Sequence, residues 1–422
     1  MNIGNPRGSA SRREFLRFSS LSVLSWCSAQ ALALAGTTSN SNRLPARAKS
    51  AIILWMSGGP SQLETFDPHP GSSTGGPTRA IKTCLPGVQI AADLPQLAEQ
   101  MDKIALIRST VGKEVDHDRS SYLMRTSYQP TESVVHPAFG SICAANLPGG
   151  DLPPFINFLC AEKRSRAGYL GDLYDRLVVG DPQQPPKNMA SNVASDRLDD
   201  RISMLKSLES QLHARNPQLV ERTLHEKQID KVLAIVRSEK TRAFRIDDEP
   251  IAVRARYGDT PFGRSCLAAR RLVEVGVPCV EVELANWDSH VFNFDKHKEL
   301  NATLDPAFAA LLADLAERDL LDSTLVIWAG EFGRTPKILG FDGRDHWPHG
   351  FSVALAGGGI RGGQVIGTTD PAGSPKPSDP VTIQDLFATL LVAMGIDPAT
   401  ERIIGSRPIK LCEGKAIPRL LT

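Results

Sequence analysis

The sequence has almost no net charge and few aromatic residues. Its 48 lysine and arginine residues are balanced by 47 aspartate and glutamate residues, and only 6% of its 422 residues are aromatic. A protein that binds nucleic acid electrostatically carries a basic excess, and one that holds single-stranded bases carries aromatic side chains among basic ones. Neither pattern is present here, so we expect no nucleic-acid partner.

Two common ligand-binding motifs are also missing. The seven cysteines form no C-x-x-C pair, which argues against a zinc knuckle. The glycine-rich turn GGGIRGG lacks the order G-x-x-x-x-G-K-[ST], so it is not a P-loop. Cys143, Cys266 and Cys279 lie in apolar contexts, which predicts buried free thiols. An oxidising compartment would allow disulfides, and the sequence assigns no pairing.

The N-terminus lacks an uninterrupted apolar span. Residues 21–36 (LSVLSWCSAQALALAG) are apolar, but the stretch is short for a membrane-spanning helix and contains Ser and Gln. It follows SRREFLRF, in which Arg12 and Arg13 resemble a twin-arginine export signal. Residues 33–35 (ALA) fit an A-x-A cleavage site. These features predict an export signal rather than a membrane anchor.

The predicted domain organisation follows from that signal. We expect a twin-arginine signal peptide at 1–35, a polar spacer at 36–48 and one domain at 49–422, with a charged helical insertion at about 187–260. The twin-arginine export machinery is then a partner. The mature chain is expected to be periplasmic or extracellular, with no stable membrane span after cleavage.

Strands and helices alternate along the predicted domain. Six apolar runs predict strands, which begin near residues 51, 104, 155, 278, 324 and 352. Segments with helical periodicity separate most of them, and one of these, SSYLMRTSYQP, predicts a helix capped by Ser120 or Ser121. The alternation predicts an α/β fold with a mainly parallel central sheet.

The richest cluster of ionisable residues follows the strand near 324. Glu331 and Arg334 come directly after it, and Asp345, His346 and His349 come shortly afterwards. Ligands of α/β sheets bind beyond the carboxyl ends of the strands. This stretch therefore predicts a metal or anion site.

A second strand end carries a similar set. The strand near 278 runs into NWDSH, which places Asp288 and His290 two residues apart on one extended segment. That spacing suits two metal ligands. The alternative is a capping aspartate beside a surface histidine.

Two further segments are candidates for anion binding. Ser57, Gly58, Gly59 and Ser61 follow the first strand, where glycines let backbone N–H groups approach an anion. The alternative for this segment is a tight turn.

The other candidate segment contains Asp116, His117 and Arg119. These residues lie between a predicted strand and a predicted helix, which is a favourable position for an anion or a metal. The alternative is a solvated turn.

Several motifs together resemble one family. LWMSGGPSQLETFDP, NWDSH, GEFGRTP, GRDHW and GGGIRGG are similar to the DUF1501 family of exported bacterial proteins, over nearly the whole mature chain. That family belongs to the alkaline-phosphatase-like superfamily, which includes sulfatases. The resemblance implies an αβα sandwich with one or two divalent metals at the carboxyl edge of the sheet.

The resemblance also implies roles for single residues. Glu331 falls where an aspartate ligand is expected, and Phe332 falls where a histidine ligand would be. His117 occupies the position of the nucleophile. The first strand ends without an acidic ligand, and C-x-P-S-R is absent, so a formylglycine sulfatase is not expected.

These observations predict one metal site. Its candidate ligands are Asp288, His290, Glu331 and either His346 or His349, with Asp345 as a ligand or as an orienting group. A mixed nitrogen and oxygen set favours Zn²⁺ or Mn²⁺ over Ca²⁺.

Two further residues are predicted to act on the substrate. Arg334 would hold an anionic ester oxygen, and His117 would act as acid, base or nucleophile. The predicted function is a metal-dependent hydrolase of phosphate or sulfate esters, acting on an envelope polysaccharide or another anionic ester. The alternative is an inactive superfamily member that serves in envelope binding or assembly.

Overall fold

The structure is a computed structural model that describes residues 48–160, 166–184, 195–215 and 222–422. The predicted signal peptide, and the predicted spacer except residue 48, lie outside the described residues. The described residues form two compact units. A large α/β unit holds most of the chain. A smaller unit holds the described residues 195–215, 222–233 and 402–409.

The described residues form fifteen strands. In order they are β1 Ser50–Met56, β2 Ala80–Lys82, β3 Gln89–Ala91, β4 Ile104–Val111, β5 Phe155–Phe158, β6 Leu177–Val179, β7 Cys279–Leu284, β8 Thr324–Ala329, β9 Gly333–Arg334, β10 His346–Trp347, β11 Phe351–Gly357, β12 Gln364–Ile366, β13 Val381–Thr382, β14 Glu401–Ile404 and β15 Arg407–Lys410.

Helices lie between the strands. In order they are α1 Pro95–Ala98, α2 His117–Thr126, α3 Phe139–Asn146, α4 Ser195–Arg215, α5 Arg222–Arg237, α6 Ile251–Arg256, α7 Pro261–Glu274, α8 Asn293–Glu317 and α9 Ile383–Ala393. Helices α4 and α5 fall within the predicted insertion, and an ion pair of 3.3 Å joins Lys206 to Asp230 between them.

One large sheet organises the α/β unit. Its order is β12-β4-β11-β8-β1-β7-β5-β6, and β13 also pairs with β4. Strand β1 lies in the middle, parallel to both β7 and β8. Strand β11 runs antiparallel to both of its neighbours, β4 and β8. The prediction of a mainly parallel sheet is confirmed.

Helices cover both faces of this sheet. Successive side chains of a strand point to opposite faces, so β1 contributes to the core on each side. On one face Ile52, Leu54 and Met56 of β1 pack in a cluster with side chains of α1, α7 and α8. On the other face Ile53 and Trp55 pack in a cluster with side chains of α2, α3 and α9. A sheet between two helical layers is the αβα sandwich that the family resemblance implies.

Two local expectations have clear outcomes. Cys143, Cys266 and Cys279 are buried free thiols, as predicted. The predicted cap of α2 at Ser120 or Ser121 is wrong. The helix begins at His117 because the Asp116 side chain accepts a hydrogen bond of 3.0 Å from the Arg119 N–H.

Among the described residues, none of the helices is both long enough and apolar enough to cross a membrane.

Candidate metal centre

The candidate site lies where three neighbouring strands end. Strands β7, β1 and β8 are adjacent and parallel, with Met56 opposite Leu284 and Trp55 opposite Ala329. Their carboxyl ends therefore lie at one edge of the sheet. The segments that follow them carry Gly58, Asp288 and Glu331, which are far apart in sequence and meet at this edge.

The loop after β1 binds an anion that belongs to the protein itself. The Gly58 N–H donates to Glu331 Oε1 over 2.8 Å, and the Ser61 N–H donates to His297 Nε2 over 2.8 Å. The Ser57 and Gly59 N–H groups donate to backbone carbonyls. The predicted anion-binding loop is thus occupied by an internal carboxylate.

Gly58 is required at this position by its backbone and its surroundings. Its φ is +113°, and a Cβ atom there would lie 2.4 Å from the backbone nitrogen of Asp288. Only glycine lets the loop after β1 pack this closely against the segment after β7.

Glu331 is buried and orients His117. Its side chain is 2% exposed, and Oε1 lies 2.7 Å from His117 Nδ1. The other oxygen, Oε2, is buried and has no hydrogen-bond partner. The hydrogen bond to Glu331, helped by the charges of Glu331 and Asp288, raises the pKa of His117 against the opposing effect of burial.

His346 reaches the site through a small hairpin. Strands β9 and β10 pair so that His346 lies opposite Arg334. The buried Arg344 fixes this hairpin by donating to the Pro336 carbonyl over 2.6 Å and to Glu64 Oε1 over 2.9 Å. The His346 ring stacks on Phe332 with centroids 4.4 Å apart.

The protonation pattern of His346 follows from its partners. Nδ1 lies 2.6 Å from the Val115 carbonyl oxygen, which can only accept, so Nδ1 carries the hydrogen. Nε2 then presents a lone pair 3.3 Å from Asp288 Oδ1. Burial lowers the pKa of His346, which favours this neutral form.

His290 makes contacts of the same kind nearer to solvent. Its Nδ1 lies 2.9 Å from Asp345 Oδ1, and its Nε2 lies 3.0 Å from Asp288 Oδ1 and 3.1 Å from His346 Nε2. The side chain is 47% exposed, compared with 20% for His346. His290 therefore forms the solvent side of the site.

Asp288 is the centre of the cluster. His117 Nε2 lies 3.4 Å from its Oδ2, and Arg334 Nη2 donates to its Oδ1 over 2.7 Å. Burial acts to raise the pKa of Asp288, but Arg334, with smaller effects of His117 and His290, outweighs burial and lowers it. Asp288 therefore presents a carboxylate to three imidazoles.

His117, Asp288 and His346 form a group that is able to hold a metal ion. Each offers one ligand atom, and these atoms all lie within 4.8 Å of one another. His117 Nε2 is buried and has no hydrogen-bond partner. Nδ1 of His117 faces Glu331 and Nδ1 of His346 faces a carbonyl, and the Nε2 atoms of both rings are directed towards Asp288.

Comparison with known proteins gives the family. The family described as "Protein of unknown function (DUF1501)" matches residues 48–421. The chain belongs to this family. No curated protein matches it.

Several solved structures are similar to this DUF1501 protein. The PsFucS1 sulfatase from Pseudoalteromonas sp. has 12% identity and a TM-score of 0.41, covering 92% of this chain and 76% of that one. A protein in the alkaline phosphatase superfamily from Vibrio parahaemolyticus has 11% identity and a TM-score of 0.39, with coverages of 94% and 78%. The C-terminal periplasmic domain of EcEptC from Escherichia coli, in complex with Zn, has 9% identity and a TM-score of 0.38, with coverages of 87% and 96%.

The DUF1501 protein places some predicted site residues away from the cluster. His349 is exposed, and its ring lies against Trp347 with centroids 5.0 Å apart. Asp116 caps α2. Arg119 binds Glu114 over 2.9 and 3.0 Å. In the described structure Asp116 and Arg119 therefore make local contacts around the start of α2.

Arg334 has a different place from the predicted one. Its side chain is fully buried, and it donates to the Gly58 and Gly59 carbonyls as well as to Asp288. These contacts leave no exposed face for a two-pronged contact with an ester. Arg334 instead fixes the loop after β1 to the ligand-bearing segment after β7.

Two residues of the DUF1501 site escape prediction from sequence. Phe332, which stands where a histidine ligand was expected, packs on His346 and lies 4.9 Å from the His117 ring. His297 accepts from the Ser61 N–H and donates from Nδ1 to the Asn293 carbonyl over 2.8 Å. Burial lowers the pKa of His297 to about 4, so it is a neutral structural group. The only sequence signal for His297 is its place just after NWDSH.

Proposed function

We propose that this DUF1501 protein is an exported, metal-dependent hydrolase of phosphate or sulfate esters. In this proposal His117, Asp288 and His346 hold one divalent ion, Zn²⁺ or Mn²⁺. The observation that carries the proposal is the convergence of the His117 and His346 imidazoles on the Asp288 carboxylate, with one ligand atom of each residue within 4.8 Å of the others.

The donor separations support this proposal. Zinc–ligand bonds of about 2.0–2.1 Å in a tetrahedron place neighbouring donors about 3.3 Å apart. His346 Nε2 lies 3.3 Å from Asp288 Oδ1, and His117 Nε2 lies 3.4 Å from Asp288 Oδ2, so each imidazole has a carboxylate oxygen at about this separation. Imidazole with carboxylate is a donor set that suits Zn²⁺ and Mn²⁺.

The groups behind the ligands support it as well. Histidines that bind a metal through one ring nitrogen usually donate from the other to a carboxylate or a carbonyl. Here Glu331 occupies that position for His117, and the Val115 carbonyl does so for His346. The buried negative charge of Glu331 also favours a cation on the far side of the His117 ring.

The residues around the ion would divide the work of ester cleavage. When bound, a divalent ion supplies Lewis-acid chemistry at such a site. His290 is the proposed general base, because its Nε2 faces Asp288 from the solvent side and Asp345 fixes its Nδ1. Arg334 positions Asp288, and Phe332 holds the His346 ring in place.

The proposed substrate is an anionic ester of the cell envelope, such as a substituted polysaccharide. The proposal is supported by the predicted export signal and by the candidate cation site at the sheet edge. The twin-arginine export machinery is the proposed partner that delivers the folded protein to the periplasm or beyond.

A second function is favoured by one observation. His290 Nε2 lies 3.0 Å from Asp288 and 3.1 Å from His346 Nε2, which are also distances between two ligands of one ion. With His290 as a fourth ligand the site would be closed, as structural zinc sites are. The protein would then be an envelope binding or assembly protein without turnover.

Metal content tests metal binding, which both proposed functions require. Purified mature protein should contain about one equivalent of zinc or manganese, as measured by elemental analysis, and chelation should lower its unfolding temperature. His346→Ala should abolish binding, whereas the matched variant His349→Ala should retain the metal. A metal-free wild type whose stability is unaffected by a chelator would end the proposal.

The role of His290 distinguishes the hydrolase from the binding protein. If it is the base, His290→Ala should keep the metal and lose release of 4-nitrophenol from 4-nitrophenyl phosphate or sulfate by about 10²–10⁴-fold. Asp345→Asn should lower the rate by about 10–100-fold with the metal retained. If His290 is a fourth ligand, His290→Ala should weaken metal binding, and neither ester should be hydrolysed by the wild type.

A further inference from the structure

Four exposed apolar residues lie next to the candidate metal centre in the chain or through backbone contacts. Val115, Val291, Phe292 and Phe341, here called the apolar rim, are among the large apolar residues that the structure describes as exposed. Phe292 is 59% exposed and Phe341 is 79% exposed, and they are the two phenylalanines in that group. Scattered exposed apolar residues are ordinary, but a group of them at one site marks a binding surface.

The backbone fixes each rim residue to the metal centre. The Val115 carbonyl accepts from His346 Nδ1. Val291 and Phe292 directly follow His290 in the chain. The Phe292 N–H donates to the Phe341 carbonyl over 2.8 Å, which joins the two phenylalanines. The rim therefore borders the exposed side of the site.

The conformations of the two phenylalanines are unusual. Phe292 has φ +51° and Phe341 has φ +55°, in the left-handed region that bulky residues rarely adopt. Glycine or asparagine would adopt these conformations at less cost. Neither side chain repays this cost by packing, since both are exposed, which favours a role in contact with another molecule.

The position of the rim selects the kind of molecule. Four side chains with these exposures present on the order of 400 Å² of apolar surface. Because they adjoin residues of the candidate metal centre, the rim suits the apolar part of a small ligand whose anionic part faces that centre.

We infer that the apolar rim binds an apolar group attached to the anionic ester, so that the preferred substrate is an alkyl or aryl ester rather than an ester of a bare sugar. This inference rests on the proposed function and narrows its substrate class. Val115, Val291, Phe292 and Phe341 are then specificity-determining residues.

Ligand binding tests the rim without requiring turnover. Calorimetry would compare methylphosphonate with hexylphosphonate, which carry the same anionic group and are not esters. Wild type should bind hexylphosphonate about tenfold more tightly, because the longer chain buries methylene groups against the rim. Phe292→Asn with Phe341→Asn should remove most of this preference, since asparagine tolerates the left-handed conformation.

Controls separate the rim from general effects. Ile251→Asn changes an apolar residue that is 76% exposed in helix α6 and should keep the wild-type preference. The single variant Phe341→Asn, with a circular dichroism spectrum and an unfolding temperature, provides a second measurement if the double variant folds poorly. It should lower the preference in part.

The outcomes distinguish this inference from the proposed function. Equal affinity of wild type for both phosphonates, absence of binding to either, or an unchanged preference in the asparagine variants would overturn the role of the rim. A rim-dependent preference without hydrolysis of hexyl phosphate or hexyl sulfate would support the rim and overturn the hydrolase. Faster hydrolysis of hexyl than of methyl esters, lost with the rim, would support both.

Discussion

Acidification should destabilise the protein through His297, which contacts none of the candidate metal ligands directly. His297 is buried beneath the segment after β1, and its Nε2 accepts the Ser61 N–H. Its ring also lies edge-on to Trp287, with centroids 5.2 Å apart. A proton on Nε2 would replace the acceptor that Ser61 requires with a second donor, so protonation and the native hydrogen bond are incompatible.

The magnitude follows from the pKa of His297. Burial lowers this pKa from 6.5 to about 4, so between these values the unfolded chain binds the proton more strongly than the native chain. Stability is therefore lost as pH falls through this window. This difference in pKa corresponds to about 3 kcal/mol in full, of which roughly 2 kcal/mol is lost between pH 7 and pH 5.

The assay compares wild type with His297→Gln. A glutamine oxygen accepts from the Ser61 N–H but does not titrate in this range. Urea unfolding, followed by tryptophan fluorescence with a chelator present, would be measured at pH 7, 6 and 5. Wild type should lose about 2 kcal/mol more than the glutamine variant between pH 7 and pH 5. The exposed His349→Gln should behave as wild type.

One result would refute this reasoning. If wild type and His297→Gln lose stability in parallel from pH 7 to pH 5, then His297 titrates in the native state much as it does in the unfolded state. The neutral, hydrogen-bonded imidazole would then not be the native form.

Three further predictions concern the loop after β1, the metal and export. Gly58→Ala should lower the free energy of unfolding by about 2–4 kcal/mol and weaken metal binding, because its Cβ would meet Asp288; Gly276→Ala, also at positive φ but with nothing within 4 Å, should cost only about 1 kcal/mol in urea unfolding. Zinc added to the metal-free protein at about 100 times its Kd should stabilise it by about 2.7 kcal/mol. The absence of a shift in unfolding temperature in scanning calorimetry would contradict this. Arg12→Lys with Arg13→Lys should leave uncleaved precursor in the cytoplasm on fractionation, and normal export of the variant would exclude the twin-arginine route.

The sequence was sufficient to predict the sheet but not every local boundary. Strands such as β1 and β8 are short apolar runs buried on both faces, and this pattern survives without knowledge of their neighbours. The start of α2 is predicted at the wrong residue because Asp116, which caps the helix, is one of several neighbouring charged residues. Competing caps within a few residues are separated only by which side chain reaches a free N–H group.

The site could be predicted only in part, for a similar reason. Asp288, His290 and His346 were visible because each follows a strand or a strong local motif. The contact between Gly58 and Glu331 joins residues 273 positions apart, and no spacing rule indicates it. Phe332 could not be interpreted from its position alone, because its role depends on the His346 ring that packs on it.

The reversed direction of β11 has a consequence for how this site can change. Because β11 runs against β8, the chain leaves β8 and enters β11 at the same edge of the sheet. Parallel neighbours would instead require a crossover to the opposite edge. Residues 330–350, which carry Arg334, Asp345 and His346, therefore form a replaceable connection between two hydrogen-bonded strands. Exchange of this segment between family members should alter ligands and specificity while the sheet stays intact.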